Sequence, residues 1–577
     1  MQMDFKRLLL MVIFAFSVIM LWEKWTAYNA PKQAPVAAQS AVGTQIGNAP
    51  APVSSGASAP ASNGLPEAAT GNPGSVYAAA AKAVIKTDKM IATVSAKGGD
   101  IIRVELTQHK TSEDGRSWMN LLKTVFGQAA QAQDNRKNFV VLQEQGDHFY
   151  VAKSGLTGGL PDQDTVFDLK AGEYSLAEGQ NDLQVRMNAP AVNGVTVTKV
   201  LTFHRDSYLI DVSYEIQNAN TSALNTTAYF KFVRDNKPTE HSAGFFGGVS
   251  SFTGPAVYTE EKKFQKIDFD KIAKNEAKYV NSAEDGWIAM VQHYFVSAWL
   301  PKNGVKRDFF TRKIPNDFFD AGVMLPVAVA AGQKTSVDVP LYVGPQEQRK
   351  LEKIAPGFNL VVDYGWVTII AVPLFWLLST IYGFVGNWGW AIIIVTLLIK
   401  AAFFPLSAAS YKSMAKMKTL MPRMKALQDR YKDDKMKLNQ AMMEMYKTEK
   451  VNPMGGCLPI LIQMPVFIAL YWVLLGVVEM RQAPWEMWIT DLSVKDPYFV
   501  LPIIMGITML VQTKLNPTPP DPVQAKVMML MPIMFTFMFL WFPSGLVLYW
   551  VLNNVLSIAQ QWYVTRMIER GEAKPAK

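Results

Sequence analysis

A multi-pass α-helical membrane protein carrying a large β-sandwich on its outer side is the fold class this sequence predicts. Three observations predict it. First, charge and composition change abruptly along the 577 residues. Between Ala80 and Leu360 there are 33 Lys and Arg against 32 Asp and Glu, whereas from Val361 onward there are 20 against 13, with 20 of the 29 Met. Second, the middle of the chain alternates apolar and polar residues with a period of two, the mark of half-buried strands. Third, the C-terminal third holds several long apolar segments separated by loops of opposite charge bias. An aqueous β domain and a membrane-embedded helical domain follow from these.

Residues 1–26 read as an N-terminal transmembrane anchor. Lys6-Arg7 precede the apolar run Leu8–Trp22, and Trp22-Glu-Lys-Trp25 replaces the small residues of a cleavage site. Interfacial tryptophans suit an anchor that stays, with its basic end in the cytoplasm. Residues 27–80, rich in Ala, Pro, Ser and Gly, bury too little apolar surface to offset chain entropy and read as a disordered linker.

Residues 81–345 read as the outer β-sandwich. In Leu209–Ile216, Ile210, Val212, Tyr214 and Ile216 alternate with Asp211, Ser213 and Glu215. Val195–Phe203 and Val337–Val343 behave alike, and Asn193-Gly194 marks a hairpin turn.

The region 346–387 contains Trp366–Phe384, which is apolar but holds Pro373 and is separated from the next run by Val385-Gly-Asn387 alone. The loop from Pro405 to Lys450 carries 11 Lys and Arg against 5 Asp and Glu, which places it in the cytoplasm. The chain therefore crosses once between the outer domain and that loop, and Trp366–Phe384 is expected to lie on the outer membrane surface. Spans follow at about 388–410, 457–478, 498–513, 527–542 and 545–564. The loop Glu479–Pro497, with four acids, two bases, Trp485 and Trp488, suits the outside, and the basic tail 565–577 the inside. The expected total is six transmembrane helices, with both termini cytoplasmic.

Nothing in the sequence points to catalysis. Cys457 is the only cysteine, the five histidines lack ligand spacing, and no GxSxG elbow, Walker A loop or GxGxxG fingerprint occurs. No catalytic residue, metal site or cofactor is expected. Asp162, Asp164 and Asp168 would be the carboxylates of a membrane-anchored carbohydrate enzyme, but their Gly/Asp-rich setting reads as a solvated loop.

One charge stands out. Lys400 sits inside AIIIVTLLIKAAFFP (391–405), where a helix-centre Lys costs about 2.5–3.5 kcal/mol. A long stem can lift such an ammonium to the interface. An ion-coupled relay would need a carboxylate or histidine partner, yet no span from Trp388 onward has an interior Asp or Glu. That absence, with no internal repeat, weighs against a small-solute transporter or channel. The spans instead offer Thr396, Gln463, Thr508, Gln512 and Thr536, then a stripe at Tyr549, Asn553, Ser557 and Gln560 or Gln561. Singly these read as helix–helix hydrogen bonds; together with Lys400 they suggest a hydrated concavity within the bilayer.

The cytoplasmic loop, 411–450, reads as a helical hairpin. Met414, Met417, Met421 and Met424, then Met442 and Met445, recur at helical spacing, with basic outer faces. A packed hairpin accounts for the pattern. An adaptable surface for varied apolar partners accounts for it too, since the thioether is flexible. Its basic faces suit anionic lipid head groups or ribosomal RNA.

Several stretches carry a resemblance: Gly386-Asn-Trp-Gly389, Ala415-Lys-Met417, Lys450–Pro459 (KVNPMGGCLP), Leu461–Pro465 (LIQMP), Arg481-Gln-Ala-Pro484 and Leu540–Tyr549 (LWFPSGLVLY). In this order the chain resembles the YidC/Oxa family of membrane protein insertases over about residues 360–570, and more loosely in the anchor and outer domain. The resemblance implies a five-helix insertase core (388–564) that inserts and helps fold inner-membrane proteins, alone or with the Sec translocon. Nascent membrane proteins, the Sec translocon, the ribosome and the phospholipid bilayer are the implied partners, in the bacterial inner membrane. It also implies a β-supersandwich outer domain and a hydrophilic groove closed to the outside. The groove's one positive residue maps onto Lys400, where the best-known members have arginine. Near it, Gln463, Met464, Tyr549, Trp550 and Asn553 would face passing substrate.

Overall fold

In the computed structural model of the chain, the described residues are 75–111, 136–146, 148–237, 252–431, 434–449, 458–516 and 522–570. The described residues all belong to one compact unit, within Asn63–Lys577. The anchor at 1–26, most of the linker, the KVNPMGG part of the 450–459 motif with Cys457, and the tail beyond residue 570 lie outside the described residues.

Two large sheets form the first half of this unit. From edge to edge, one runs Ser282–Ala283, Arg307–Ile314, Phe318–Val329, Leu224–Asp235, Tyr150–Leu156, Ile101–Lys110, Met90–Ser95, Lys82–Lys86 and Gly172–Ser175, with Asn138–Leu142 also paired to Ile101–Lys110. The other runs Lys263–Lys266, Gly254–Thr259, Trp287–Val291, Phe295–Trp299, Lys334–Pro345, Leu209–Asn218, Val195–His204 and Asp182–Asn188. Pairings between named strands are antiparallel except Lys82–Lys86 with Gly172–Ser175. The period-two pattern lands as the sequence requires: Ile210, Val212, Tyr214 and Ile216 are buried and face the opposite sheet. Tyr214 meets Phe230 across the gap, and Trp299 packs on Phe230 and Phe232. Asn193 and Gly194 both take positive φ, 48° and 74°, as a two-residue hairpin turn demands.

The sandwich interior also holds ions. Asp320 is fully buried, accepting from Lys231 Nζ at 3.2 Å and from Arg312 Nε at 2.9 Å. Asp100 accepts from the Tyr77 hydroxyl at 2.8 Å, and Lys199 donates to the Gly98 carbonyl at 3.0 Å. Burial lowers the Lys199 ammonium to about 8, against the pull of Asp100.

On the sheet surface, His204 bridges Asp182 (2.6 Å) and Asp211 (2.9 Å) across three strands. Burial alone would lower its pKa; its hydrogen bonds and charge attraction to both carboxylates outweigh this and raise it. A raised folded pKa stabilises fully below the unfolded value near 6.5 and fades as pH rises through the folded value. The stability gap between the full chain and His204→Gln should therefore be largest near pH 5.5 and shrink in alkali. A gap that widens with pH in thermal melts contradicts this.

Among the described residues, eight helices from Thr368 onward make up the second half: α1 Thr368–Val385, α2 Trp388–Ala402, α3 Phe404–Arg430, α4 Lys435–Thr448, α5 Leu458–Gly476, α6 Val500–Leu515, α7 Pro522–Phe539 and α8 Ser544–Glu569. Chain chemistry sets their ends. Gly386 closes α1 in the left-handed region (φ 67°), and the Asn387 side chain then caps α2 by accepting from Trp390 N. Pro405 sits in the first turn of α3, where its missing N–H is tolerated but cannot continue the α2 ladder, and α2 and α3 meet at a 64° bend at Phe403. Asp434 caps α4 through Met436 N and Lys437 N.

Length and composition alone do not reproduce six spans. Among the described residues, one helix, Gly365–Val385, is long and apolar enough to cross a membrane. The bent pair Trp388–Ala402 and Phe404–Arg430 passes jointly, and Gln463–Gly476, Val500–Leu515 and Ala525–Phe539 are shorter apolar helices. The physical reason is visible in α2, which Pro405 interrupts, and in α8, whose polar stripe dilutes its apolar content. The helix that passes is the one expected on the membrane surface.

The sandwich rests on the helices through the loop after α5. Arg481 Nη2 donates to the Lys110 carbonyl at 2.5 Å, and Gln482 exchanges two hydrogen bonds with Lys110. The Arg481 guanidinium lies over Phe139 (5.0 Å) and Phe295 (5.4 Å), and His293 Nε2 contacts the Leu475 carbonyl at 3.0 Å.

Candidate functional site

The sandwich contact defines an outer end of the bundle: the start of α2, the end of α5, the start of α6 and the start of α8. At that end, aromatic and apolar side chains fill the space. Trp388 stacks on Tyr382 at 4.0 Å, and a side chain on Gly389 would collide with Trp485, whose ring lies where a Cβ would sit. Asn387 Nδ2 donates to the Pro484 carbonyl, and Trp390 Nε1 donates to Glu486. Ser544 and Gly545, at the start of α8, are bonded to the backbone of Asp491, Leu492 and Val494. Asp496, buried, accepts from Trp488 Nε1, Tyr498 N and Leu501 N and so holds the start of α6. The loop 478–499 is thus a tied cover over the outer end.

Below that cover the interior turns polar, and α8 carries the change. Asn554, Ser557 and Gln561, spaced i, i+3, i+7, fall on one buried face. Each meets a partner on another segment: Asn554 Nδ2 donates to Thr508 Oγ1 on α6 (3.3 Å), Ser557 Oγ accepts from Lys400 Nζ on α2 (2.7 Å), and Gln561 Nε2 donates to Asn516 Oδ1 after α6 (3.1 Å). Ser407, Ser410 and Tyr411 of α3 are buried in the same inner half. Gln561 Oε1 is buried with no protein donor.

Lys400 is 4% exposed, on the last turn of α2 before the bend. It donates to Ser557, which in turn donates to the Asn553 carbonyl at 2.7 Å. Among the described residues no carboxylate pairs with it. The Lys400 ammonium thus has a neutral hydroxyl as its partner among the described residues, with one of its three donors occupied. Such a group attracts an acidic or hydrogen-bond-accepting visitor more strongly than it would in bulk water, because the surrounding dielectric is low.

The expected site residues separate into four sets. Lys400 is buried against Ser557 of α8, and Asn553 is half-buried, its backbone carbonyl accepting from Ser557 Oγ. Thr396 is buried on the same helix as Lys400, but its hydroxyl returns to the Ile392 carbonyl at 2.6 Å. Tyr549 and Trp550 lie higher, in an aromatic plug: Phe467 stacks on Tyr549 and meets Trp550 edge-on at 4.6 Å, and Phe539 lies 5.3 Å from Trp550. Gln463 is half-buried and Met464 is 39% exposed, near the inner start of α5. Asn554, which the sequence reading did not name, is buried beside the half-buried Asn553, and its spacing to Ser557 and Gln561 was the available signal.

The Met-rich helices α3 and α4 touch through Arg423–Glu449 (2.6 Å) and the Tyr446 hydroxyl on Met424 Sδ (3.6 Å). Met424 is buried, and Met414, Met417, Met421, Met442 and Met445 are half-buried, whereas Met436 (75% exposed) and Met443 (49%) are open. The Asp162 carboxylate accepts from Asp164 N, Thr165 N and Thr165 Oγ1, so it is occupied in shaping its own turn.

A helical bundle capped at one end by a tied loop and a docked β-sandwich, with buried polar side chains toward its other end, is the arrangement the described residues form. The chain matches the 60Kd inner membrane protein family over residues 380–572 and the YidC periplasmic domain family over 125–377. It is 57% identical over 581 residues to the membrane protein insertase YidC of Aromatoleum aromaticum, covering 100% of both chains. It is 52% identical over 572 residues to that of Dechloromonas aromatica, covering 99% of this chain and 98% of the other. Among solved structures it is similar to an active YidC insertase with its first transmembrane domain resolved, at 17% identity and a TM-score of 0.38, covering 85% of this chain and 96% of that one. The chain belongs to the YidC family of membrane protein insertases. Its β-sandwich is the periplasmic domain, and its helical part belongs to the inner membrane.

Proposed function

We propose that this chain inserts and helps fold inner-membrane proteins by admitting the polar outer segment of a client into the chamber around Lys400. The observation that carries this reading is the buried Lys400, which meets the Ser557 hydroxyl and no carboxylate among the described residues, below an outer end packed with aromatic side chains. An acidic client tail gains from Lys400, the chamber shortens its path through hydrocarbon, and the client's apolar stretch then passes into lipid, where burial drives completion.

In this reading six helices span the membrane, the N-terminal anchor and α2, α5, α6, α7 and α8, with both termini in the cytoplasm. Helix α1 lies along the outer surface: Ala371, Phe375 and Leu378 pack inward, while Ile369, Val372, Trp376 and Phe384 are exposed to lipid. Helices α3 and α4 form a cytoplasmic hairpin that meets the emerging client. Its open thioethers, Met436 and Met443, are better placed for first contact than the half-buried Met414, Met417, Met421, Met442 and Met445. The ribosome and the Sec translocon are the partners this role calls for.

A photo-crosslinker at Met464 or Asn553 should capture a stalled nascent membrane protein, and one at Ile503, on the exposed face of α6, should capture it far less. Equal capture from all three positions counts against a chamber route.

A further inference from the structure

We propose that the cleft between α3, α6 and α8 binds the headgroup of an anionic phospholipid of the cytoplasmic leaflet. This rests on the reading that the hairpin end of the bundle faces the cytoplasm. The cleft has a volume of about 220 Å³ and is lined by Tyr411, Lys418, Leu515, Trp562, Thr565 and Arg566 among others. Its chemistry has two layers. Leu515 and Met414 supply apolar lining, while Lys418 and Arg566 supply two cations, and Thr565 adds a hydroxyl to the lining.

Neither cation is neutralised within the described residues, unlike Arg423 and Lys437 on the hairpin, which pair with Glu449 and Asp434. Arg566 is held with its guanidinium over the Trp562 ring at 4.7 Å, so its position is set before any ligand arrives. Trp562 and Tyr563 are half-exposed at this level, the place amphipathic rings occupy where acyl chains meet headgroups. A phosphodiester suits the pair, with a forked guanidinium on one side and a compact ammonium on the other. A basic pocket between helices on the cytoplasmic side, with apolar lining, matches an anionic lipid in both layers. An acidic peptide would use only the cations.

The test places a photo-crosslinking residue at Leu515 in the full chain, reconstituted in vesicles of phosphatidylethanolamine with phosphatidylglycerol. The expected result is a phosphatidylglycerol adduct that falls at least fivefold in Lys418→Ser/Arg566→Ser. The control Lys425→Ser/Lys447→Ser removes the same charge outside the cleft and should leave the adduct unchanged. An unchanged adduct in the cleft variant, or equal adducts with phosphatidylcholine, overturns the proposal. Loss of the adduct on adding glycerol 3-phosphate means a soluble phosphate site and overturns the lipid assignment; loss on adding an acidic client peptide means a client site and does the same. Insertion is read separately. Wild-type protein that forms the adduct but inserts no client would overturn the insertase reading and leave the lipid site standing.

Discussion

Replacing Lys400 with methionine is expected to stabilise the helical bundle while lowering insertion of clients with acidic outer tails by about tenfold or more. Both halves follow from the same burial. The ammonium is almost fully enclosed, with Ser557 as its one hydrogen-bond partner and no carboxylate among the described residues. An apolar side chain of similar length removes that desolvation cost, as apolar replacement of buried charge often does. The attraction lost to a client carboxylate is larger than its effect: at about 4 Å and an effective dielectric near 20 it approaches 4 kcal/mol, and a tenfold change needs only about 1.4 kcal/mol. Lys400→Arg should keep insertion if the site acts as a point charge, because arginine preserves charge while adding a planar fork. Melting of the full chain in detergent and insertion into reconstituted vesicles check the two halves. Equal insertion of acidic-tailed clients by wild type and Lys400→Met would remove charge attraction from the mechanism.

The second large effect lies in the outer domain. Asp320→Ala should cost about 3–5 kcal/mol, because it leaves the Lys231 ammonium enclosed in the sandwich without its anion. Burial already lowers the Lys231 pKa, with Asp320 opposing that shift. Arg312 also loses a partner, but it is partly exposed and can hydrate. The double change Lys231→Met/Asp320→Leu should recover most of the loss, since two apolar groups replace an ion pair that burial makes expensive. Denaturant midpoints of the full chain decide it; an Asp320→Ala shift below about 1 kcal/mol would show that the ion cluster carries little of the domain's stability.

Much of this architecture was legible in the chain. The sandwich strands announce themselves because one face is wet and the other is buried, so Ile210 through Ile216 alternate visibly. The α1–α2 junction was legible as a motif, and the structure supplies its physics: Gly386 for the left-handed turn, Asn387 for the cap, Gly389 for the close approach of Trp485. Lys400 was legible as an anomaly of hydropathy. What single-sequence reading missed is pairing across elements. The choice between Asn553 and Asn554 depends on the rotation of α8, which is set by its packing on α2, α3 and α6. The Lys231–Asp320–Arg312 cluster joins residues far apart in sequence. The Met pattern showed a helical face but not which of its members are covered: Met424 is buried against Tyr446, Met414 lines the cleft beside α6 and α8, and Met436 and Met443 stay open.

The central claim is a chamber open to water from the hairpin end and sealed at the outer end. Thiol accessibility tests it most directly, with Cys457→Ser as the background. Cysteines introduced by Asn553→Cys in the polar half and Leu546→Cys in the buried outer half are exposed to a membrane-impermeant reagent from each side of oriented vesicles. Position 553 should react from the cytoplasmic side only, and position 546 from neither. Labelling of 553 from the periplasmic side, or no labelling of it at all, would contradict the account.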